Sequence, residues 1–482
     1  MPILTWLLVV FLVINTLGAI FTVLRSVRDI STTWAWLLVL LFLPGLGFLI
    51  YLFAGRRLSA KKMRQIQAAI SKGSAAFVQL QKRANARGRL LPTADLTPAA
   101  QELINLFLNT ARAPVLTNKD VKLFYDGPAK FAALFADIAA AKKSLYIEYY
   151  TIYNDQLGNQ LRDLLIQKAK AGVTVYVLYD AWGSIGANAR WWRPLVHAGG
   201  KVETYFSSKH LFLDFRLNYR LHRKLVIIDD AIGYIGGFNV GDQYVSRSPK
   251  FGFWRDTHLR IMGNTVMALK IQFTSDWNAT VSSGQLPYPN QPLATDQPTS
   301  QNAMQIVASG PESSGQQIKA GYVKMITSAT HSVWLQTPYL IPDDTVYDAL
   351  TTAALAGIDV RVMIPNMPDH PFIFRATQYY ANELAAAGVK LYHYQKGFLH
   401  AKTMIIDDRI ASVGSANLDI RSFKLNFEVN AFIYDPTVAH QLTVAFEHDL
   451  VDCQRLTPAV IAGQSHWLRF KQRFSRLLSP IL

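Results

Sequence analysis

Charged residues are absent from residues 3–24, and a second apolar run, 34–55, follows after only Arg25, Arg28 and Asp29. At about 1.5 Å of helical rise per residue, runs of this length cover the roughly 30 Å hydrocarbon core of a bilayer. The pattern predicts two transmembrane helices joined as a hairpin, with Trp34 and Trp36 in the interfacial belt and a kink near Pro44. A cleaved signal peptide is the competing reading, but its basic start is missing. From residue 121 onward, short β-rich runs alternate with helical stretches, the signature of an α/β domain. That pattern occurs twice. SLYIEYYTI at 144–152 parallels SVWLQTPYL at 332–340, AGVTVYVLYD at 171–180 parallels AGIDVRVMIP at 356–365, and HAGGKVETY at 197–205 parallels AAAGVKLYHY at 385–394. The chain thus divides into an anchor at 1–55, a basic juxtamembrane linker at 56–118, a first α/β domain at 119–277, a polar linker at 278–304, and a second domain at 305–482 ending in a basic amphipathic tail.

Charge and composition narrow the partners. Half of the 482 residues are hydrophobic and 17% are charged, more apolar than a purely soluble chain. The formal charge of +16 calls for a phosphate-bearing or anionic-lipid partner. Its location favours lipid, because residues 56–90 carry ten basic and no acidic residues directly after the apolar runs, where positive flanks stay cytoplasmic and attract anionic headgroups. Cys453 is the only cysteine, so neither an internal disulfide nor a cysteine-based zinc site can form.

The chemistry sits at matching places in the two copies. LHRKLVIIDDAIGYIGGFN sets out His222, Lys224, Asp229, Gly236, Gly237 and Asn239, and FLHAKTMIIDDRIASVGSAN sets out His400, Lys402, Asp407, Gly414, Ser415 and Asn417 at the same spacing, 178 residues later. Residues i and i+2 of an extended chain share a face, so each histidine projects beside its lysine. Asp229 and Asp407, at an odd offset, complete the motifs as structural members. The small residues Gly237 and Ser415 would let backbone approach a phosphate, and Asn239 and Asn417 can donate amide hydrogens to it. One such histidine alone would read as a hydrogen-bonded core residue; two copies with the whole spacing kept make that improbable.

These paired motifs resemble the HKD motifs of the phospholipase D superfamily, over both copies. More narrowly, the chain is similar to bacterial cardiolipin synthases in AWLLVLLFLPGLGFLIYLFAG of the anchor, GGFNVGDQY, FWRDTHLRIMG, NFEVNAFIYD and the ending RLLSPIL. Leu221 and Gln243 depart from the residues common there. The resemblance implies an α/β fold of two halves with mixed sheets packed around one shared active site, preceded by two transmembrane helices. It further implies no metal or cofactor, phosphatidylglycerol as substrate, and transfer of a phosphatidyl group from one phosphatidylglycerol to another with release of glycerol.

Phosphodiester exchange without metal needs a nucleophile, an acid for the leaving alkoxide and positive charge on the non-bridging oxygens. By analogy His222 is the nucleophile, forming a phosphohistidine, and His400 the acid and base. Asp256 and Glu428, 34 and 28 residues after the motif histidines of their own copies, are the expected orienters of the imidazoles. Tyr149, Tyr150, Trp254, Pro338 and Tyr339 are expected to wall a substrate channel that excludes water. A nuclease could use the same motifs, but the apolar anchor argues against nucleic acid as partner. A non-catalytic scaffold would not need both histidine–lysine pairs.

Overall fold

The computed structural model describes residues 2–24, 30–51, 55, 75, 77–87, 96–205, 218–289, 302–313 and 315–479. Arg25, Arg28, Asp29, most of the basic stretch 56–90 and residues 290–301 of the linker lie outside the described residues. The chain forms two compact units, one of residues 1–63 with 207–220 and one of 64–206 with 221–482.

In the smaller unit a helix spans Pro2–Leu24, and its segment 5–22 has a mean hydropathy of 2.1. The second apolar run is not the continuous span that its length predicts. It forms a helix at Ile30–Phe42, a turn, and a short helix at Leu46–Ile50. Pro44 brings no N–H to continue the ladder, and Gly45 adopts a φ of 76°, left-handed territory where a glycine is at ease. Among the described residues only the first helix is long and apolar enough to cross a membrane. The buried amide of Asn15 ties the break down, donating to the Leu40 carbonyl at 2.9 Å and accepting from the Gly45 N–H at 3.3 Å.

The larger unit holds two α/β halves of like topology. In the first, the sheet runs Lys201–Thr204, Thr174–Tyr179, Ser144–Tyr149, Lys224–Ile228, Ile232–Gly236, Phe253–Gly263, the last also pairing with Asn118–Asp126. The first three strands are parallel and the others antiparallel, a mixed sheet. Alternation decides its faces. Leu145, Ile147, Val175 and Val177 bury against the helices Gly127–Ala140 and Gln156–Lys170, while Tyr146 and Tyr176 meet Phe273 and Trp277 of the helix Thr265–Thr280 edge-on. The second half repeats the order from Lys390–Tyr394 through Asp359–Pro365, Ser332–Gln336, Thr403–Ile406, Ile410–Gly414 and Glu428–Ile433 to Met304–Ser309.

Residues 98–116, assigned from the sequence to the juxtamembrane linker, belong to the second half. The helix Pro98–Thr110 buries Leu103, Ile104 and Phe107 in that half's core, and Val115–Leu116 pairs antiparallel with Met304–Ser309. Its apolar residues recur at helical spacing, so burial is the physical outcome. The halves also exchange structure near the motifs. Gly397–Leu399, just before the second motif, adds in parallel to Phe253–Arg255 of the first half's sheet, and Leu221 bridges to Phe427.

Candidate active site

Each motif lysine begins or precedes a central strand: Lys224 opens Lys224–Ile228, and Lys402 stands one residue before Thr403–Ile406. The histidines two residues earlier lie at the strand ends, where the halves meet. Backbone contacts across that seam place them alike. The His222 N–H donates to the Phe427 carbonyl at 2.9 Å, and the His400 N–H donates to the Arg255 carbonyl at 2.7 Å. Phe427 and Arg255 immediately precede Glu428 and Asp256.

The side chains therefore pair across the seam rather than within each copy. His222 Nδ1 lies 2.9 Å from both oxygens of Glu428, and His400 Nδ1 lies 2.6 Å from Asp256 Oδ2. Glu428 and Asp256, the carboxylates expected from the sequence to orient the imidazoles, each contact the other half's histidine. An ionised carboxylate only accepts, so Nδ1 carries the proton and Nε2 of each ring keeps its lone pair. Burial, reinforced by the neighbouring lysines, outweighs the carboxylates and holds both imidazoles down at about 4. Lys402 contributes to the lowering of His222, and Lys224 to that of His400, so both motifs share one electrostatic site. Burial likewise lowers Lys224 to about 7 and Lys402 to about 8. Each ammonium donates to the carbonyl of its own motif histidine, which fixes the pair.

The orienters are themselves held. Burial raises Glu428, but His222, Lys224 and Ser415 together bring it below the usual carboxylate value. Ser415 Oγ donates to Glu428 at 2.5 Å and Asn426 Nδ2 at 3.2 Å; Asn426 stands outside both motifs, two residues before Glu428. Gly237 is small for a related reason. A Cβ there would come within 2.0 Å of Asp256 Oδ1, so the glycine makes room for the carboxylate. Gly237 and Ser415 thus support orienters in this structure, which differs from the phosphate approach expected of them. Asn239 donates to Tyr244 at 3.2 Å and Asn417 to Asp419 at 3.2 Å, each through one amide nitrogen that has a second hydrogen to offer.

Asp229 and Asp407 lie outside this constellation. Asp229 accepts the N–H groups of Lys142, Lys143 and Ser144 at 2.7–2.9 Å, and Asp407 those of Thr330, His331 and Ser332 at 2.7–2.9 Å. Both occupy turns with φ near 50°, pinning the entry of the central strand. The aromatic residues divide. Tyr150 packs edge-on against His222 with ring centres 4.9 Å apart, and Trp254 lies 5.1 Å from the His400 ring. Tyr339 is half-buried and donates to Asp369, whose charge reaches Lys402. Tyr149 is core instead, its hydroxyl bound to the buried Lys130 at 2.9 Å.

With the geometry in hand, comparison with known proteins gives the family. Residues 134–254 and 322–450 match the model described as cardiolipin synthase, PLD-like domain, and 14–56 match one described as phospholipase D-nuclease N-terminal. A cardiolipin synthase of Listeria innocua is 47% identical over 487 aligned positions spanning 100% of both chains. The major cardiolipin synthase of Bacillus subtilis is 46% identical, covering 99% of each. Among solved structures, phosphatidylserine synthase from Haemophilus influenzae aligns with a TM-score of 0.60 at 15% identity over 79% of this chain and 100% of that one, a likeness of fold. Twin domain matches, full-length relatives at nearly half identity and two crossed histidine–carboxylate pairs converge: the chain belongs to the cardiolipin synthases of the phospholipase D superfamily.

Proposed function

We propose that this enzyme transfers a phosphatidyl group between two phosphatidylglycerol molecules, giving cardiolipin and glycerol, through a phosphohistidine on His222. The carrying observation is the crossed pairing: two imidazoles with Nε2 lone pairs, each held by a buried carboxylate of the other half, beside two buried ammonium groups. In the first step His222 Nε2 bonds to phosphorus as the P–O bond to glycerol breaks, and His400 gives its proton to the departing oxygen. The negative charge of the bound phosphodiester raises the proton affinity of the imidazoles, so that His400 Nε2 takes up a proton from solvent before the first step. In the second step the hydroxyl of another phosphatidylglycerol passes its proton to His400, its oxygen bonds to phosphorus, and the P–N bond breaks. Lys224 and Lys402 bear on the non-bridging oxygens, helped by the spare amide hydrogens of Asn239 and Asn417.

The order of the histidines draws support from an asymmetry. Glu428 shares its charge among His222, Ser415 and Asn426, whereas Asp256 approaches His400 more closely and otherwise accepts the Thr257 N–H. A less divided carboxylate favours an imidazolium at His400, as an acid requires. Acid quenching of the enzyme with labelled phosphatidylglycerol should trap phosphohistidine, and His222→Ala should abolish both trapping and transfer. A trapped adduct in the His222 variant would move the nucleophile elsewhere. Single-stranded DNA should remain intact under the same conditions, and a chelator should leave transfer nearly unchanged.

The proposal extends to placement. Residues 1–55 act as a membrane hairpin with the N-terminus and the catalytic halves on the cytoplasmic side, consistent with the basic residues that follow. An engineered cysteine at position 32 should react with an impermeant reagent from outside the cell, and Cys453 should not. External labelling of Cys453 would reverse the orientation.

A further inference from the structure

The C-terminal helix His466–Leu477 packs with its polar side inward. Gln472 and Ser475 are its buried residues; against the helix Pro371–Ala386, Asn382 donates to Gln472 at 3.3 Å, and Tyr380 bonds Ser479, just past the end of the C-terminal helix, at 3.5 Å. Its apolar side faces outward. Trp467, Phe470, Phe474 and Leu477 are 65%, 57%, 49% and 73% exposed, and the first three rings form a stacked row with centres 5.4 and 6.4 Å apart. An amphipathic helix on a water-facing surface normally buries the opposite side.

The flanks name the partner. Lys471, Arg473 and Arg476 border the aromatic row, and the helix carries no acidic residue. A protein core would bury the rings without requiring this charge; an anionic bilayer surface uses both, taking Trp and Phe rings at headgroup depth and cations beside them. Arg476 lies over Tyr379 at 5.1 Å and Ser479 meets Tyr380, while Gln464 and Gln472 meet Asn382, so the tail is fastened to a single turn of the helix Pro371–Ala386 and its ring-bearing side is left outward. We infer that the outward face of His466–Leu477 is an interfacial docking surface for an anionic lipid bilayer. This inference stands on exposure and charge alone, independent of the reaction order above.

The test uses the full chain in vesicles. With Cys453→Ser as background, an environment-sensitive fluorophore is placed by Phe470→Cys, and in control proteins by Val451→Cys or Leu355→Cys, at positions 86% and 75% exposed. In vesicles containing phosphatidylglycerol, the label at 470 should shift to the blue and be quenched by nitroxide-bearing lipid, while the control labels stay in water. Adding Lys471→Glu, Arg473→Glu and Arg476→Glu should lower the quenched fraction by about threefold at low salt. Arg469 is left unchanged because it donates to the Ile461 and Ala462 carbonyls. Equal quenching at all three positions, a blue shift without lipid quenching as contact with a second copy of the chain would give, or indifference to the charge reversal would each overturn the inference.

Discussion

At position 222 and at position 400 an imidazole is buried against a carboxylate and still titrates at about 4. An unfolded histidine titrates near 6.5. Between those values the unfolded chain binds more protons than the folded one, so stability rises with pH across that window and falls as acid is added. The total change across that window should amount to about 3 kcal/mol per imidazole. Thermal melts between pH 7 and 4 should therefore lose midpoint steeply, and His222→Gln or His400→Gln should flatten the loss. Tyr339 makes a second prediction at this scale. Its hydroxyl is engaged by Asp369 and lies within electrostatic reach of Tyr150, which packs on His222. Removing it by Tyr339→Ala should let water compete with the lipid hydroxyl, raising the ratio of phosphatidic acid to cardiolipin severalfold in a lipid product assay. An unchanged ratio in the folded variant would place Tyr339 outside the channel wall.

The elements carry a different load. The turn after Lys224–Ile228 is fastened by Asp229, and that after Thr403–Ile406 by Asp407, each carboxylate collecting three backbone N–H groups. Burial acts to raise these groups, but the backbone donors prevail and hold both below the usual value. Their contribution is accordingly present above the unfolded carboxyl value and lost as pH falls through the folded one. Asp407→Ala removes charge-assisted bonds at a half-buried site and should cost about 2 kcal/mol in denaturant titrations. Activity per folded molecule should survive, because the carboxylate touches no motif imidazole. A folded, stable but inactive Asp407→Ala would return this residue to the chemistry.

Across the whole molecule, function depends on the seam. The N–H of each motif histidine and its Nδ1 both use the other half, and the strand Gly397–Leu399 crosses to complete the partner sheet. Glu428→Gln should therefore disturb His222, 206 residues away in sequence, more than His400 in its own copy. Nitrogen-15 spectra of labelled histidines should show the tautomer signature of His222 altered and that of His400 retained; the reverse would require pairing within each copy. Arg255 reinforces the seam, reaching Asp449 of the second half at 2.8 and 3.0 Å from a buried position.

The repeat, the two histidine–lysine pairs and the α/β class were legible in the sequence because they depend on spacing: a period of two aligns His222 with Lys224, and a matched offset reveals duplication. Asp256 and Glu428 were legible as residue types at corresponding places. Which histidine each one meets was decided only by tertiary structure, since it depends on strand ends brought together from opposite halves. The same holds for Gly237, whose small size serves a carboxylate from another strand, and for residues 98–116, whose apolar face found its partner in the second half. Length set the extent of the second apolar run and Pro44 marked a kink in it, but the structure parts the run into two helices at Pro44 and Gly45. The amphipathic tail was visible as a pattern; that its polar side packs inward was fixed by Asn382 and Gln472, a contact between segments 90 residues apart. Periodicity follows from the geometry of one chain segment, whereas pairing follows from which segments the fold brings within hydrogen-bond reach.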